Sequence, residues 1–372
     1  MITKARMHGI ARYVFHLLQI LKSQDTQHQF VAFVAADSPL KKLRWPQHIS
    51  LVTYKAPWIS FREQLTLPLV LRRYQIDLFH ATSFVAPYVC PCPLVMTIHD
   101  LNHLVLPQFY TPLHLIYYRF FVKRCIRHSR YLLTVSNFSK SENVRNLKID
   151  PAKIFVTYNG VSEHYKEEGG AGYLDYIRDL YELPEQFIFC LSNNKPHKNI
   201  HQLVRAYCFS NLKTPLVLAC PVDASLIRLA EGFGKKHQIY FSKYIAEEHL
   251  PGVYSLARFF VYPSTYEGFG LPPLEALACG VPVVVARSAS LPEVVGRYAY
   301  FVDPYDYQDM AKMLEHASGQ SDLGLKSRHA RVLHARSFSW KTMAQRTLDV
   351  YNLCGQSPND WGGVKGKPLV QT

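Results

Sequence analysis

The stretch YEGFGLPPLEALACGVPVVVA, Tyr266 to Ala286, decides how this 372-residue chain is read. Just before it, RFFVYPS (258–264) is an aromatic and β-branched run that suits a strand, and TYEGFGL then carries Gly268 and Gly270 through a turn. PPLEALACG places prolines at the first helical positions and a glycine just past the end, and VPVVVA is the next strand. This is one βαβ unit, with its loop at the carboxyl end of a strand, where open parallel sheets bind ligands. The glycines leave backbone N–H groups open at a helix N-terminus, a place for a diphosphate. Glu267 and Glu275, which flank that anion site, then need partners other than phosphate. Sugar and ribose hydroxyls donate well to carboxylates, so a nucleotide-sugar meets all three demands.

Outward from this unit, short apolar runs alternate with longer amphipathic ones, the rhythm of parallel sheets with crossover helices. QFVAFVA, ISLVTY, DLFHAT, PLVMTIHD, YLLTVS and KIFVTY are the strands expected before residue 165; FIFCLS, PLVLAC, IYFSKY, RFFVYPS and VPVVVA follow after 186. Helices are expected over Ile10 to Lys22, Phe61 to Tyr74, Leu113 to His128, Ser139 to Asn146, Ile200 to Phe209 and Leu274 to Ala278. EHYKEEGGAGYLDYIRDLYELPEQ (163–186) breaks the rhythm with charge and glycine, as a link with a short helix does. The chain thus divides into an N-terminal α/β domain (1–165), a link (166–185), a C-terminal α/β domain (186–338), a helix (339–354) and an extension (355–372) without periodicity.

Hydrophobic residues make up 48% and charged ones 19%, the balance of a globular chain rather than a disordered one. No apolar run is long enough to span a bilayer, since LTLPLVL stops at Arg72-Arg73, and the first residues lack the apolar core of a secretory signal; a cytoplasmic location is expected. The eight cysteines show no zinc or disulfide spacing and are expected to be reduced thiols. Residues 1–165 hold 20 Lys/Arg against 8 Asp/Glu, so most of the +14 net charge lies in the first half. That half suits an anionic membrane surface, a phosphorylated acceptor or nucleic acid. The segment LHLIYYRFFVKRCIRHSR (113–130) suits an anionic bilayer, and equally a core helix with a solvated basic face.

EGFGLPPLE resembles the Glu-x7-Glu element of the retaining glycosyltransferases of family 4. GIARY (9–13) is similar to that family's first glycine loop, TIHDL (97–101) to its acceptor-side histidine segment, TVSNFSK (134–140) to the strand-loop-helix after it, and YNGV (158–161) to the end of its N-terminal domain. KPHKN (195–199) resembles its basic phosphate segment, and LPEVVG (291–296) and FSWKTMA (338–344) later landmarks, so the likeness runs from Gly9 to Tyr351. It implies a GT-B fold, two Rossmann-like doubly wound domains facing across a cleft with a C-terminal helix crossing back. By the same resemblance, Glu267 contacts donor-sugar hydroxyls, and the backbone of Gly268, Phe269, Gly270 and Leu271 meets the sugar and diphosphate. Glu275 binds the ribose, Lys198 with Lys195 neutralises the leaving group, and Gly9 lets the N-terminal loop approach the diphosphate. His99 lines the reaction centre, with Arg12 and Asp100 on the acceptor side.

The family's front-face chemistry, in which the departing diphosphate takes the acceptor proton, asks for electrostatic stabilisation, which lysines and helix N-termini supply without a metal. The expectation is a metal-independent hexosyltransferase with no cofactor, acting on a glycan or lipid-linked acceptor in surface polysaccharide or lipopolysaccharide assembly, with a peripheral place at the inner face of the cytoplasmic membrane left open. GDP-mannose is the donor favoured by resemblance, with UDP-hexoses open and no nucleic acid expected. Two rivals are a non-catalytic basic protein on the same scaffold, gripping membrane or nucleic acid, and a dinucleotide oxidoreductase. The latter fits poorly, because Leu271, Pro272 and Pro273 follow the second glycine and Arg287 ends the next strand. The chain departs from the family at Ala11, where a second loop glycine is common, at Leu191-Ser192, which replace a glycine turn, and at Lys243, where a glycine usually lets the base approach. Only MITKARM and His8 precede Gly9, where the family has a full strand.

Overall fold

Among the described residues every strand pairing is parallel, so each strand needs a crossover, and helices supply most of them. The computed structural model describes residues 9–24, 27–56, 60–109, 118–168, 170–242, 244–319 and 327–355. In the N-terminal half, α1 (Gly9–Lys22) leads into a two-stranded sheet, β1 (Phe30–Val34) and β2 (Ile49–Thr53). After α2 (Phe61–Arg73) comes a four-stranded sheet in sequential order, β3 (Phe79–Ala81), β4 (Leu94–Ile98), β5 (Tyr131–Thr134) and β6 (Ile154–Val156). Two further helices flank β5, α3 (Lys123–His128) before it and α4 (Asn137–Leu147) after it.

The C-terminal half is one six-stranded sheet in the order β12-β11-β10-β7-β8-β9, built from β7 (Ile188–Leu191), β8 (Leu216–Ala219), β9 (Ile239–Phe241), β10 (Phe259–Tyr262), β11 (Val283–Ala286) and β12 (Ala299–Val302). Its helices include α5 (Ala171–Leu180), α6 (Ile200–Phe209), α7 (Leu250–Leu256), α8 (Leu271–Ala278) and α9 (Leu291–Val295). β8, β10 and β11 are buried throughout, as apolar runs covered on both faces must be. The strand order reverses between β7 and β10, which lie side by side. Such a switch point opens a crevice at the carboxyl ends of the strands, and the loops after β7 and β10 carry Lys198 and Glu267.

A last helix, α10 (Trp340–Gly355), returns to the N-terminal half. The Trp340 ring stacks on His16 at 4.4 Å, the Tyr351 hydroxyl bonds His80 Nδ1 at 2.5 Å, and Val350 and Cys354 pack with Val95, Tyr131 and Leu133. Gly160 makes the return tight: a Cβ there would sit 2.0 Å from the Trp340 amide nitrogen, so the YNGV segment needs a residue without one.

Each strand expected from sequence forms, trimmed by a residue or more at its ends. β12 was not expected; its short run follows directly on the turns of LPEVVGRY, which mask it as part of one irregular stretch. Of the helix expected over Leu113 to His128, residues 113–117 lie outside the described residues, and Tyr118–Val122 forms a π-helical turn that runs into α3. The short helix within the expected link, α5, packs on α7, where a Cβ on Gly252 would come within 3.0 Å of Ile177 and 3.1 Å of Tyr173. Lys243, the first eight residues and most of the extension lie outside the described residues.

Candidate active site

The loops after β7 and β10 are bonded to each other before any ligand is considered. Ser264 Oγ and the Thr265 amide donate to the His197 carbonyl at 3.0 and 2.8 Å, and Asn199 Nδ2 donates to the Pro263 carbonyl at 3.2 Å. This brings Lys198 Nζ to 2.6 Å from Glu267 Oε1. The Tyr262 hydroxyl, at the end of β10, joins both: it accepts from Lys198 at 2.8 Å and donates to Glu267 at 2.8 Å. Burial would push the Glu267 carboxyl up, but the Lys198 ammonium and hydrogen bonds from Lys198, Ser264 and Tyr262 outweigh it and hold the carboxyl below its ordinary value. Burial likewise works against a charged Lys198, and Glu267 with Tyr262 more than restores it, leaving the ammonium harder to deprotonate than a free lysine. The pair stays ionised at neutral pH in a place nearly closed to water, where charge acts strongly. Tyr262 escaped the sequence reading, although its place at the carboxyl end of a switch-point strand was a signal.

Gly268 meets the opposite wall of the cleft. A Cβ there would lie 2.1 Å from the His99 carbonyl oxygen and 3.1 Å from the Asp100 Cβ, and Ser136 Oγ donates to the Gly268 carbonyl at 2.6 Å. Ser139 Oγ reaches both the His99 and Gly268 carbonyls at 3.2 Å. Gly270 has φ +102°, the left-handed region, so its turn into α8 also requires glycine. The His99 ring donates from Nε2 to the Thr82 carbonyl at 3.0 Å; burial lowers its pKa, which keeps it neutral. Asp100 Oδ1 accepts from the Asn102 amide at 3.0 Å, a local turn bond. Lys195 is exposed on the turn before Lys198, and space beside Gly9 is open, with no atom within 4 Å of an added Cβ.

Arg12, which the resemblance put on the acceptor side, reaches across to the C-terminal half and hydrogen-bonds the Glu275 carboxylate, with Glu247 Oε1 at 3.0 Å and the Tyr165 hydroxyl at 2.8 Å. The physical reason is that α1 begins at Gly9, so Arg12 sits on its first turn, facing a carboxylate buried to 2% exposure. Glu275 is therefore already engaged on both oxygens, since the Tyr254 hydroxyl donates to Oε2 at 3.3 Å. Glu293, in the LPEVVG segment, was missed as well: its carboxylate accepts from the first amides of α4, Asn137 at 2.7 Å and Phe138 at 3.0 Å, and from the Tyr158 hydroxyl at 2.6 Å. An acid followed by apolar residues at a helix start reads from sequence as a cap of its own helix, and nothing local shows that it caps a helix of the other domain.

The profile described as Glycosyltransferase Family 4 matches residues 7–165, and that described as Glycosyl transferases group 1 matches residues 179–331. O-antigen chain mannosyltransferase B of Escherichia coli is 33% identical over 292 residues, which cover 76% of this chain and 76% of that protein. The chain is a family 4 glycosyltransferase. O-antigen chain mannosyltransferase RfbU of Salmonella typhimurium is 28% identical to this glycosyltransferase, over 59% of the chain and 60% of the relative. The serotype-specific mannosyltransferase WbdA of Escherichia coli is 29% identical over 62% of the chain, which spans 29% of WbdA's length. The family 4 glycosyltransferase has the GT-B fold: HepE of Anabaena, solved with UDP and glucose, superposes with a TM-score of 0.75 at 18% identity over 94% of this chain and 97% of that one. WaaG, a glycosyltransferase involved in lipopolysaccharide biosynthesis, gives 0.69 at 13% identity over 94% of this chain and 98% of WaaG. The chain is thus a nucleotide-sugar-dependent hexosyltransferase. Among the glycosyltransferase's described residues, no cluster of three or more His, Cys, Asp or Glu is placed to hold a metal, and no helix is long and apolar enough to cross a membrane.

Proposed function

We propose that the enzyme moves mannose, with retention, from GDP-mannose to a lipid-linked glycan of a cell-surface polysaccharide, in the cytoplasm at the inner face of a membrane and without a metal. The observation that carries this reading is the buried Lys198–Glu267 pair at the switch point, with Tyr262 joining the two. An ionised Glu267 accepts hydrogen bonds from hexose hydroxyls, and Lys198 faces the negative charge that grows on the diphosphate as its bond to the sugar breaks. The acceptor oxygen attacks the same face, and its proton passes to the departing phosphate oxygen. Neutral His99 lies beside Gly268 at the sugar's edge. The start of α8 favours the diphosphate, and Glu275 takes the ribose once Arg12 yields that oxygen. Three mannosyltransferases among the relatives support mannose as the sugar.

A donor screen tests this. Thermal stabilisation and sugar release are measured with GDP-mannose, UDP-glucose, UDP-galactose and UDP-N-acetylglucosamine, with and without EDTA, and repeated with Glu275→Ala. GDP-mannose alone is expected to be turned over, equally well in EDTA, and Glu275→Ala to lose nucleotide stabilisation. Turnover of a UDP-sugar only would overturn the donor, loss of activity in EDTA the metal independence, and unchanged binding by Glu275→Ala the ribose contact.

A further inference from the structure

The first turn of α1 sends two neighbouring side chains in different directions. Arg12 crosses to Glu275, while Tyr13 turns inward, fully buried, toward His99. The Tyr13 and His99 rings meet edge to face, with centroids 5.0 Å and planes 84° apart. His99 needs that contact. Its ring makes one hydrogen bond among the described residues, from Nε2 to the Thr82 carbonyl, which fixes one ring atom and leaves the imidazole free to pivot about it.

Tyr13 is itself held by a chain of polar groups inside the fold. Side chains alternate along β4, so Val95, Thr97 and, just past the strand, His99 share one face, and the register of β3 sets His80 opposite Val95. The Tyr13 hydroxyl lies 3.2 Å from Thr97 Oγ1, Thr97 Oγ1 lies 2.7 Å from His80 Nε2, and His80 Nδ1 lies 2.5 Å from the Tyr351 hydroxyl of α10. Burial raises the Tyr13 phenol above its ordinary value, and hydrogen bonds with Thr97, Thr347 and Thr157 take back part of that rise, so α10 also reaches the phenol directly through Thr347. Burial, and secondly the neighbouring His99, push His80 down to about 3, which keeps it neutral. A neutral imidazole donates at one nitrogen and accepts at the other, so the hydroxyls on its two sides are oriented together.

Apolar side chains would fill this volume at less cost, because each of these groups must be stripped of water and then paired. What the polar chain adds is a fixed orientation for the Tyr13 ring. We infer that Tyr13 is a positioning residue for His99, and that α10 sets it through Tyr351, His80 and Thr97. The inference rests on the reading of His99 as a neighbour of the reacting sugar. It gives the return of the last helix to the N-terminal half a part in sugar transfer, since the helix that closes the fold also sets one wall of the cleft.

Turnover is measured for the full chain carrying Tyr13→Phe, Tyr351→Phe or His99→Ala, and for each tyrosine change combined with His99→Ala, well below the melting temperature of every variant so that lost stability does not enter. Tyr13→Phe is expected to lower kcat about tenfold and Tyr351→Phe about threefold. KM for the donor and the melting shift with GDP are expected to stay as in the parent, because the diphosphate and ribose sites belong to the C-terminal half. In the His99→Ala background neither change is expected to lower kcat further, since a residue that acts only through His99 then has nothing left to position. Ring-nitrogen resonances of protein labelled with 15N-histidine, with His99 assigned by its loss in His99→Ala, give the same answer without turnover: the His99 signals are expected to shift or broaden in both tyrosine variants. Unchanged His99 signals, or a Tyr13→Phe loss of the same size with and without His99, overturn the positioning role. His99→Ala with the parent kcat overturns instead the place of His99 beside the reacting sugar, and the inference with it.

Discussion

The guanidinium of Arg12, on the first turn of α1, is bonded to the carboxylate of Glu275 in α8, across the cleft between the two domains. Neither side chain is open to water, at 14% and 3% exposure, and Arg12 Nε is buried without a hydrogen-bond partner. An ion pair of this kind is weak as a source of stability, but removing one partner strands the other.

Arg12→Gln is accordingly expected to cost about 3 kcal/mol or more, read as a lower midpoint of thermal unfolding. Its pH dependence has a definite sign. Burial raises the Glu275 carboxyl above its ordinary value, and Arg12 pulls it only part of the way back. A raised folded value means a contribution to stability that is present below the ordinary carboxyl range and lost as pH rises through the raised value. Without Arg12 that value climbs further, so the deficit of the variant is small in mild acid and grows toward and above neutrality. A deficit equal at both ends of the range would show that Glu275 is not the group left stranded.

Tyr262→Phe removes one hydroxyl and keeps the ring. The hydroxyl holds Lys198 and Glu267 in register, with 2.8 Å to each, so its loss should lower kcat by about ten- to a hundredfold, the worth of a hydrogen bond to a charged group. Lys198→Ala should cost more, about a hundred- to a thousandfold, since it removes the charge itself. Because Glu267 is held below and Lys198 above their ordinary values, the rate should show no break from this pair between the usual carboxylate and lysine ranges. A Tyr262→Phe enzyme with wild-type kcat would take the hydroxyl out of the mechanism.

Glu293→Gln tests the contact between α9 and α4. The carboxylate meets two amides and a tyrosine hydroxyl at the positive end of a helix in the other domain, and the neutral amide keeps the shape without the charge. A loss of about 1 kcal/mol in domain closure is expected. It should appear as a larger radius of gyration in solution scattering and a raised KM for donor, with kcat less affected. An unchanged radius would show that Glu293 does not hold the domains together.

How much of this was legible beforehand follows from the range of the forces involved. The βαβ unit around Gly270 was legible because the glycine, the prolines and the flanking apolar strands are local signals, and the structure places them as read. Glu267 was named from its place beside the glycine turn and Lys198 through resemblance, but their pairing was legible in neither, as they lie 69 positions apart and meet because β7 and β10 adjoin. The contact of Arg12 with Glu275 was not legible, since its partner is 263 positions away and no sequence pattern reports a contact between domains. The two faces of α2 were hidden for a related reason: Leu65, Leu67, Leu69 and Leu71 read as one apolar run, and only the folded helix separates Leu67 and Leu71, which are buried, from Leu65 and Leu69, which are exposed.

Gly268→Ala separates closure of the cleft from construction of the donor site. The His99 carbonyl would lie 2.1 Å from the new methyl group, and a backbone oxygen cannot move aside as a long side chain can. Gly268 is not among the glycines with a left-handed φ, so the loop itself tolerates alanine and the strain falls on the contact between domains. The expected enzyme folds, keeps its stabilisation by GDP, and loses about a hundredfold in kcat, because His99 and Glu267 no longer approach each other correctly. Gly270→Ala makes the contrast. There φ is +102° and Leu291 lies 2.6 Å from the added methyl, so the turn into α8 is distorted and nucleotide stabilisation should fall along with turnover. If Gly268→Ala turned over at the parent rate, the closed contact between His99 and Gly268 would not belong to the reacting state.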